Sequence, residues 1–387
     1  MTRQAKVLLN ATSVVVGGGI QAAVSFIRHV LEHDTGLLWQ FALSAVVARQ
    51  LEQFGVSSHA LEATVFERSP GRDRGTRRAL RELERRTKPD VVFTFFGPAY
   101  VRFRAPHLCG VGNGWVTHAT AMAYSTLGSV RKSVRVFLQG VYRGLWYRAA
   151  DRWLVEEQSA RRGLSRRFAI PAERIAVISN GCADHYRIAG QASPLLEPSE
   201  RFRLLTFAAY YVHKNIEIIP MAAAELARRG LGDKFEFVTT IRNDEPALAR
   251  INATARQLGV TKMINNVGPV NLIDGPRLYE SCDAVFMPSL LETFSATYPE
   301  AMAMGLPIIT TDLDFARGIC GDAAVYYRPK DARAAADAIC RVHGSRELHD
   351  RLVEEGRRRL LRFPEARAKN GAIVDLIRDM VQQGRDH

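Results

Sequence analysis

The sequence predicts an α/β protein built as two doubly wound domains in tandem, and three observations carry that prediction. Apolar runs of strand length alternate with helical stretches along the whole chain, the rhythm of a parallel sheet covered by helices. The rhythm breaks once, at GQASPLLEPSE (190–200), whose two prolines and small polar residues read as a linker, and then restarts. At 387 residues and 47% hydrophobic content, the chain exceeds one comfortable core and suffices for two.

In order, the opening MTRQAKVLLNATSVVVGGGIQAAVSFI places basic residues before an apolar run, as a secretory leader does. The Gly17-Gly18-Gly19 break and the helical period after it fit a buried strand (6–10), a tight turn and a helix better. Residues 36–55 read as a helix; 90–96, 152–156 and 174–180 read as strands of the same domain, which is expected to span 1–189. After the linker, strands are expected at 201–208, 234–241, 263–270, 283–289, 306–312 and 323–328, with helices among them, in a second domain spanning 201–365. Residues 366–387 are expected to form a terminal helix that crosses back to the first domain. No fixed-period repeat is present. Ligands of such sheets bind beyond the carboxyl ends of the strands, so the site is expected in a cleft between two facing domains.

Composition narrows the function classes. Cys109, Cys182, Cys282, Cys320 and Cys340 have no paired spacing, which indicates neither a disulfide framework nor a zinc site and suits a reducing cytoplasm. No apolar run reaches the roughly 18 residues that span a bilayer. The net charge of +13 is uneven: residues 1–200 hold 27 Lys and Arg against 16 Asp and Glu, and residues 201–387 hold 26 against 24. A positive first half suits an anionic partner or a solvated basic face; for residues 68–88, where Arg alternates with Glu, the solvated face is the better reading. Residues 129–154 mix Arg and Lys with Val, Phe, Leu, Trp and Tyr. That is the composition of a helix on an anionic membrane, or of a core edge with solvated arginines.

The stretch PSLLETFSATYPEAMAMGLPIITTD (288–312) concentrates the chemistry. Pro299 cannot sit in a helix interior, so a helix begins near Tyr298, with Glu292 in the loop before it and Glu300 in its first turn. Free backbone N–H groups around Ser295, Ala296 and Thr297 then make an anion cradle between two carboxylates, a clamp for a nucleotide-sugar. The plainer reading makes Glu300 a complement to the helix dipole and Glu292 a solvated acid.

The run SLLETFSATYPEAMAMGLPIITTD, with Glu292, seven residues and Glu300, closely resembles the donor-site motif of the retaining glycosyltransferases of family 4, which have the two-domain GT-B fold. ISNGCADHY (178–186), YYVHKNIEII (210–219), VGPV…LYESCDAVFMPS (267–289) and ARGICGDAAVYYRPKDARAAADAI (316–339) are similar to further family segments. The resemblance covers residues 175–365 well and the first half in outline. It implies that Glu300 holds the ribose hydroxyls, Glu292 faces the donor sugar, the amides of Ser295 to Thr297 meet the diphosphate, and Lys214 neutralises it. One departure stands out: the arginine usual five residues before the lysine is Ala209, so His213 or Arg242 is a candidate for the missing charge. In the first domain, GGGIQAA (17–23) resembles the family's glycine loop near donor and acceptor, with Gly18 and Gly19 as contacts. His118 resembles the histidine placed against the donor sugar, although a lone histidine beside Trp115 is as often structural.

The resemblance implies retention of configuration without metal or cofactor, the acceptor hydroxyl attacking on the face from which a UDP or GDP group leaves. It implies a lipid-linked or polysaccharide acceptor, as in bacterial-type surface glycan synthesis, on the inner face of the membrane, and no role for nucleic acid. Asp312-Leu313-Asp314 has the spacing of a metal-binding Asp-x-Asp but follows a strand and reads as a turn. The alternative is a nicotinamide-dependent sugar-nucleotide enzyme, since GGGIQAA also fits G-x-G-x-x-A. No acidic residue clearly ends a second strand at the distance that fingerprint requires. A glycoside hydrolase could use paired carboxylates as acid and nucleophile but would need no nucleotide donor.

Overall fold

The computed structural model describes residues 3–188 and 193–385, whose backbone forms two all-parallel sheets. The first contains β1 (Ala5–Ala11), β2 (Leu37–Ser44), β3 (Thr64–Phe66), β4 (Val91–Thr94), β5 (His107–Gly110), β6 (Arg152–Val155) and β7 (Ile175–Val177) in the order β3-β2-β1-β4-β5-β6-β7. The second contains β8 (Phe202–Thr206), β9 (Phe235–Thr239), β10 (Ile264–Asn266), β11 (Ala284–Met287), β12 (Ile308–Thr311) and β13 (Ala324–Tyr327) in the order β10-β9-β8-β11-β12-β13. Both orders reverse at one strand, β1 in the first sheet and β8 in the second. The crevice of a doubly wound sheet therefore opens at the carboxyl ends of β1 and β4, and of β8 and β11.

Among the described residues, 3–118, 134–179 and 366–385 form the first unit, and 119–133, 180–188 and 193–365 the second. Residues 119–133 thus group with the second unit rather than with the segment around them. Of the segment read as a linker, residues 190–192 lie outside the described residues. The amides of Leu195 and Leu196 donate to Ser281 Oγ at 2.8 and 3.0 Å, and both side chains pack on the second unit's core.

The first sheet corrects the helix expected over 36–55. Leu37–Ser44 is a strand, paired with β1 along its full length, and only Ala45–Gln53 is helical. Leu37, Phe41, Ala42 and Leu43 are buried, and Ser44 caps the helix by accepting from the amide of Val47. Two short strands not expected from the sequence, β3 and β5, complete the sheet. Behind it, Asn10, Thr94 and His107 form a buried chain of side-chain hydrogen bonds at 3.2 and 2.7 Å that ties β1, β4 and β5 together.

The last helix, Ala366–Arg385, belongs to the first unit, where Ile373, Val374, Ile377, Met380 and Val381 enter the core formed by β1, β2 and β4. Its first turns carry Lys369, whose Nζ lies 3.7 Å from Glu156 Oε1. Burial pushes the Lys369 ammonium down and the Glu156 carboxyl up, and each opposes the other's shift. Arg378 donates to the Thr35 carbonyl at 2.6 and 3.0 Å, fastening the helix farther along.

The stretch 129–154 forms a helix, Val130–Tyr147, and then β6. The helix turns its glycines inward: a Cβ on Gly144 would lie 1.8 Å from the Phe168 ring, and one on Gly140 would lie 3.2 Å from the Trp115 carbonyl. Tyr147 is buried, while Val130, Val134, Phe137, Leu138, Val141, Tyr142 and Leu145 are exposed. Its apolar residues are therefore mostly surface rather than core. Among the described residues no helix is long and apolar enough to cross a membrane.

Candidate functional site

Two loops leave the carboxyl edge of the second sheet where its strand order reverses. After β8, residues 207–215 run out and back, ending in a tight turn at Val212–Lys214 and in Asn215, whose φ is 53°. After β11, residues 288–296 lead into the helix Thr297–Ala303, one residue earlier than the proline rule suggests. The loops are tied together: the Leu290 amide donates to the His213 carbonyl at 2.8 Å, and Asn215 Nδ2 donates to the Pro288 carbonyl at 3.4 Å. Strand ends beneath them are tied as well, since Thr310 Oγ1 donates to the Met287 carbonyl at 2.9 Å and Thr311 Oγ1 to the Ser289 carbonyl at 2.6 Å.

This scaffold brings Lys214 and Glu292 together. Lys214 Nζ lies 2.6 Å from Glu292 Oε1, with side chains only 13% and 9% exposed. Lys214 is thus not a solvent-exposed surface lysine. Adjacent His213 stacks on Tyr211 with ring centroids 5.6 Å apart. Burial holds its pKa below the usual 6.5, and Lys214 adds to this while Glu292 opposes it. Burial therefore disfavours the charged form of His213, and its ring can still offer an N–H in place of the missing arginine. Arg242 is no substitute: it is exposed and binds Asp244 through two hydrogen bonds of 2.9 and 2.5 Å. Lys214 is the cation that the loop after β8 brings to this place.

Glu300 sits in the first turn of Thr297–Ala303, its amide bonded to the Ala296 carbonyl. Tyr298 OH meets Thr310 Oγ1 at 2.8 Å and fixes this helix on β12. Tyr279 OH donates to Glu300 Oε2 at 2.9 Å. Burial lifts the Glu300 carboxyl to about 7, against the opposing pull of the Tyr279 hydrogen bond and of Lys214. Ser295 and Thr297 are buried, and the Thr297 hydroxyl donates to the Phe207 carbonyl at 3.3 Å. Among the described residues, the amides of Ser295, Ala296 and Thr297 donate to no acceptor of the chain.

Of the remaining candidates, Gly18, Gly19 and His118 lie in the first unit. The helix Gly18–Glu32 starts directly after β1, and the backbone there demands glycine at Gly17, with φ at 71°. A Cβ on Gly18 would meet nothing, and one on Gly19 would make ordinary contact with Phe96 and Val14. His118 ends the short helix Gly114–Thr117, with Nδ1 2.7 Å from Thr117 Oγ1. Asp312 is engaged by Arg317 in a two-pronged ion pair of 2.5 and 2.9 Å, and Asp314 opens the helix Asp314–Cys320. Sequence reasoning missed Tyr279, although it lies within the quoted LYESC. A tyrosine closing a helix directly before a buried strand was the available signal.

Two family models match the chain: Glycosyl transferases group 1 over residues 191–359 and Glycosyltransferase Family 4 over residues 46–184. The chain belongs to this glycosyltransferase family and has the GT-B fold. Solved structures agree with the fold of the glycosyltransferase along its whole length. Sucrose-phosphate synthase from Thermosynechococcus elongatus is 15% identical, with a TM-score of 0.74 over 98% of this chain and 100% of that one. Anabaena HepE in complex with UDP-glucose is 15% identical, with a TM-score of 0.69 over 97% and 100%. WaaG, a glycosyltransferase involved in lipopolysaccharide biosynthesis, is 12% identical, with a TM-score of 0.70 over 96% and 99%. No curated protein matches the glycosyltransferase in sequence.

Proposed function

We propose that the glycosyltransferase moves a hexosyl group from a UDP- or GDP-linked sugar to a hydroxyl of a lipid-linked or polysaccharide glycan, with retention of configuration and without metal or further cofactor. The observation that carries this reading is the Lys214–Glu292 pair at 2.6 Å, on the two loops where the second sheet's order reverses, with Glu300 in the helix that follows. The Anabaena complex with UDP-glucose supports the donor class, and the lipopolysaccharide role of WaaG supports a surface glycan as acceptor.

In this reading Glu300 accepts the ribose hydroxyls, the amides of Ser295 to Thr297 receive the diphosphate, and Glu292 faces the sugar. His213 contributes an N–H. Gly18, Gly19 and His118, all of the first unit, are read as that unit's contribution to the donor. As the anomeric C–O bond breaks, charge grows on the diphosphate oxygen, where Lys214 stabilises it. The acceptor oxygen bonds to the anomeric carbon on the same face, and its proton passes to the departing diphosphate.

A membrane-bound acceptor has its own support. The chain has no acidic residue between Asp90 and Asp151, and the exposed apolar face of Val130–Tyr147 is interleaved with Arg131, Lys132 and Arg135. Such a face suits the anionic inner surface of a cell membrane, with the protein peripheral and cytoplasmic.

A nucleotide-sugar panel tests the reading: one donor should raise the melting temperature saturably, and NMR of the product should show the donor's anomeric configuration. EDTA and Asp312→Ala should leave turnover within about twofold, since no metal-assisted step is invoked. Inversion, or loss of activity in EDTA with recovery in manganese, would overturn the corresponding part.

A further inference from the structure

Neither the Glu-x7-Glu motif nor the mechanism above has a use for Tyr279. It closes the short helix Gly275–Tyr279, is completely buried, and donates to Glu300 Oε2 at 2.9 Å. Edge contacts with Tyr186, at 5.5 Å between centroids, and with Phe207, at 5.7 Å, leave its ring little freedom. Among the described residues, Glu300 Oε1 accepts no hydrogen bond.

We infer that Tyr279 is the positioning residue of the nucleotide site: it holds the Glu300 carboxyl group by one oxygen and leaves the other oxygen for the ribose diol. The inference rests on the assignment of Glu300 to the ribose. An ionised carboxylate accepts from both diol hydroxyls, whereas a protonated one has lost part of its acceptor capacity. A buried carboxylate reverts to the neutral form unless a donor or cation supports the anion. Here the supporting groups are Tyr279 and Lys214.

Burial shifts the neighbouring phenols, thiol and imidazole away from their ordinary ranges. Burial pushes the phenols of Tyr279 and Tyr186 and the thiol of Cys182 upward. His213, beside Lys214, is pushed down. The helix Arg346–Leu360 meets Thr297–Ala303 through Gly356 on Met302, an uncharged contact. Burial lifts Glu300 to about 7, and the helix Asp184–Ile188, which carries His185, also packs against Thr297–Ala303.

Tyr279→Phe keeps the ring and removes the hydroxyl. Losing a hydrogen bond to the anion raises the Glu300 pKa further, so the carboxylate is present only at higher pH. The pH midpoint of diol recognition should therefore rise by about one unit or more, the size of one charge-assisted hydrogen bond.

The test is calorimetric titration with UDP and 2′,3′-dideoxy-UDP, and with the GDP pair, between pH 6 and 9. Comparing ribo with dideoxy forms cancels the titration of the phosphates. Wild type should prefer the ribo form at pH 7; Tyr279→Phe should lose about fivefold or more of that preference at pH 7 and regain it at pH 9. A loss that is equal at every pH, or no loss, would overturn the role of Tyr279. A wild type that binds ribo and dideoxy forms equally would instead overturn the assignment of Glu300. If Tyr279→Phe does not fold, Glu300→Gln still decides. Its ribo preference should be flat from pH 6 to 9, and one that still titrates refutes the inference.

Discussion

Lys214→Ala offers the sharpest view of the site, because two separable effects should follow from one substitution. The ammonium lies 2.6 Å from Glu292 in a place where both side chains are about nine-tenths buried. Removing it takes a preorganised charge from the leaving diphosphate, a loss on the order of 10² to 10³ in kcat. It also leaves Glu292 as an uncompensated carboxylate beside an incoming anion. At roughly 4 Å and an effective dielectric constant of about 20, two like charges repel by about 4 kcal/mol, which corresponds to roughly 10³ in Kd. The single variant should therefore fail in both donor binding and turnover. Lys214→Ala combined with Glu292→Gln removes the repulsion without restoring the cation, so binding should return by two orders of magnitude or so while kcat stays low. Calorimetry with the matching nucleoside diphosphate reads the first quantity, and coupled release of that diphosphate reads the second. A single variant that keeps more than about a tenth of kcat would refute the reasoning. So would a double variant that binds no better than the single.

Three further outcomes follow from named contacts. Lys369→Ala, which strands the buried Glu156 carboxylate, should lower stability by about 3 to 5 kcal/mol in urea unfolding, and Lys369→Met with Glu156→Gln should recover most of it. Gly144→Ala places a methyl group 1.8 Å from the Phe168 ring and should cost about 1 to 3 kcal/mol, read as a lower melting temperature. Arg131, Lys132 and Arg135 changed together to Ala should weaken binding to anionic vesicles by roughly two orders of magnitude, each contributing on the order of 1 kcal/mol near such a surface. A wild type that floats with no vesicle at low ionic strength would remove the membrane from the proposed function.

The second unit was the more legible half. Its six strands lie where the apolar runs put them, and Pro299 located the helix start to within a residue, because sterics at proline are local. The first unit concealed β2 because residues 36–55 join a strand to a helix without a glycine or proline between them; only the Ser44 cap marks the change. β5 is four residues long and opens with His107, a polar residue whose Nε2 meets Thr94 Oγ1 on the neighbouring strand. Pairings across distance were hidden in the same way: three strands with their helices separate Lys214 from Glu292, and a strand and loop separate Tyr279 from Glu300. The glycine loop was seen, but the residue that needs to be glycine is Gly17 rather than Gly18 or Gly19.

The placement of Ala366–Arg385 in the first unit bears on how the chain matures during synthesis. Ile373, Ile377 and Met380 fill the same core as Val7, Leu9 and Phe93, so the half that is made first lacks part of its interior until residues near 381 have left the ribosome. The second unit has its whole core by residue 363 and can close while that gap is still open. Domains usually mature in the order of their synthesis; here the early-made sheet keeps part of one apolar face uncovered until the last helix arrives.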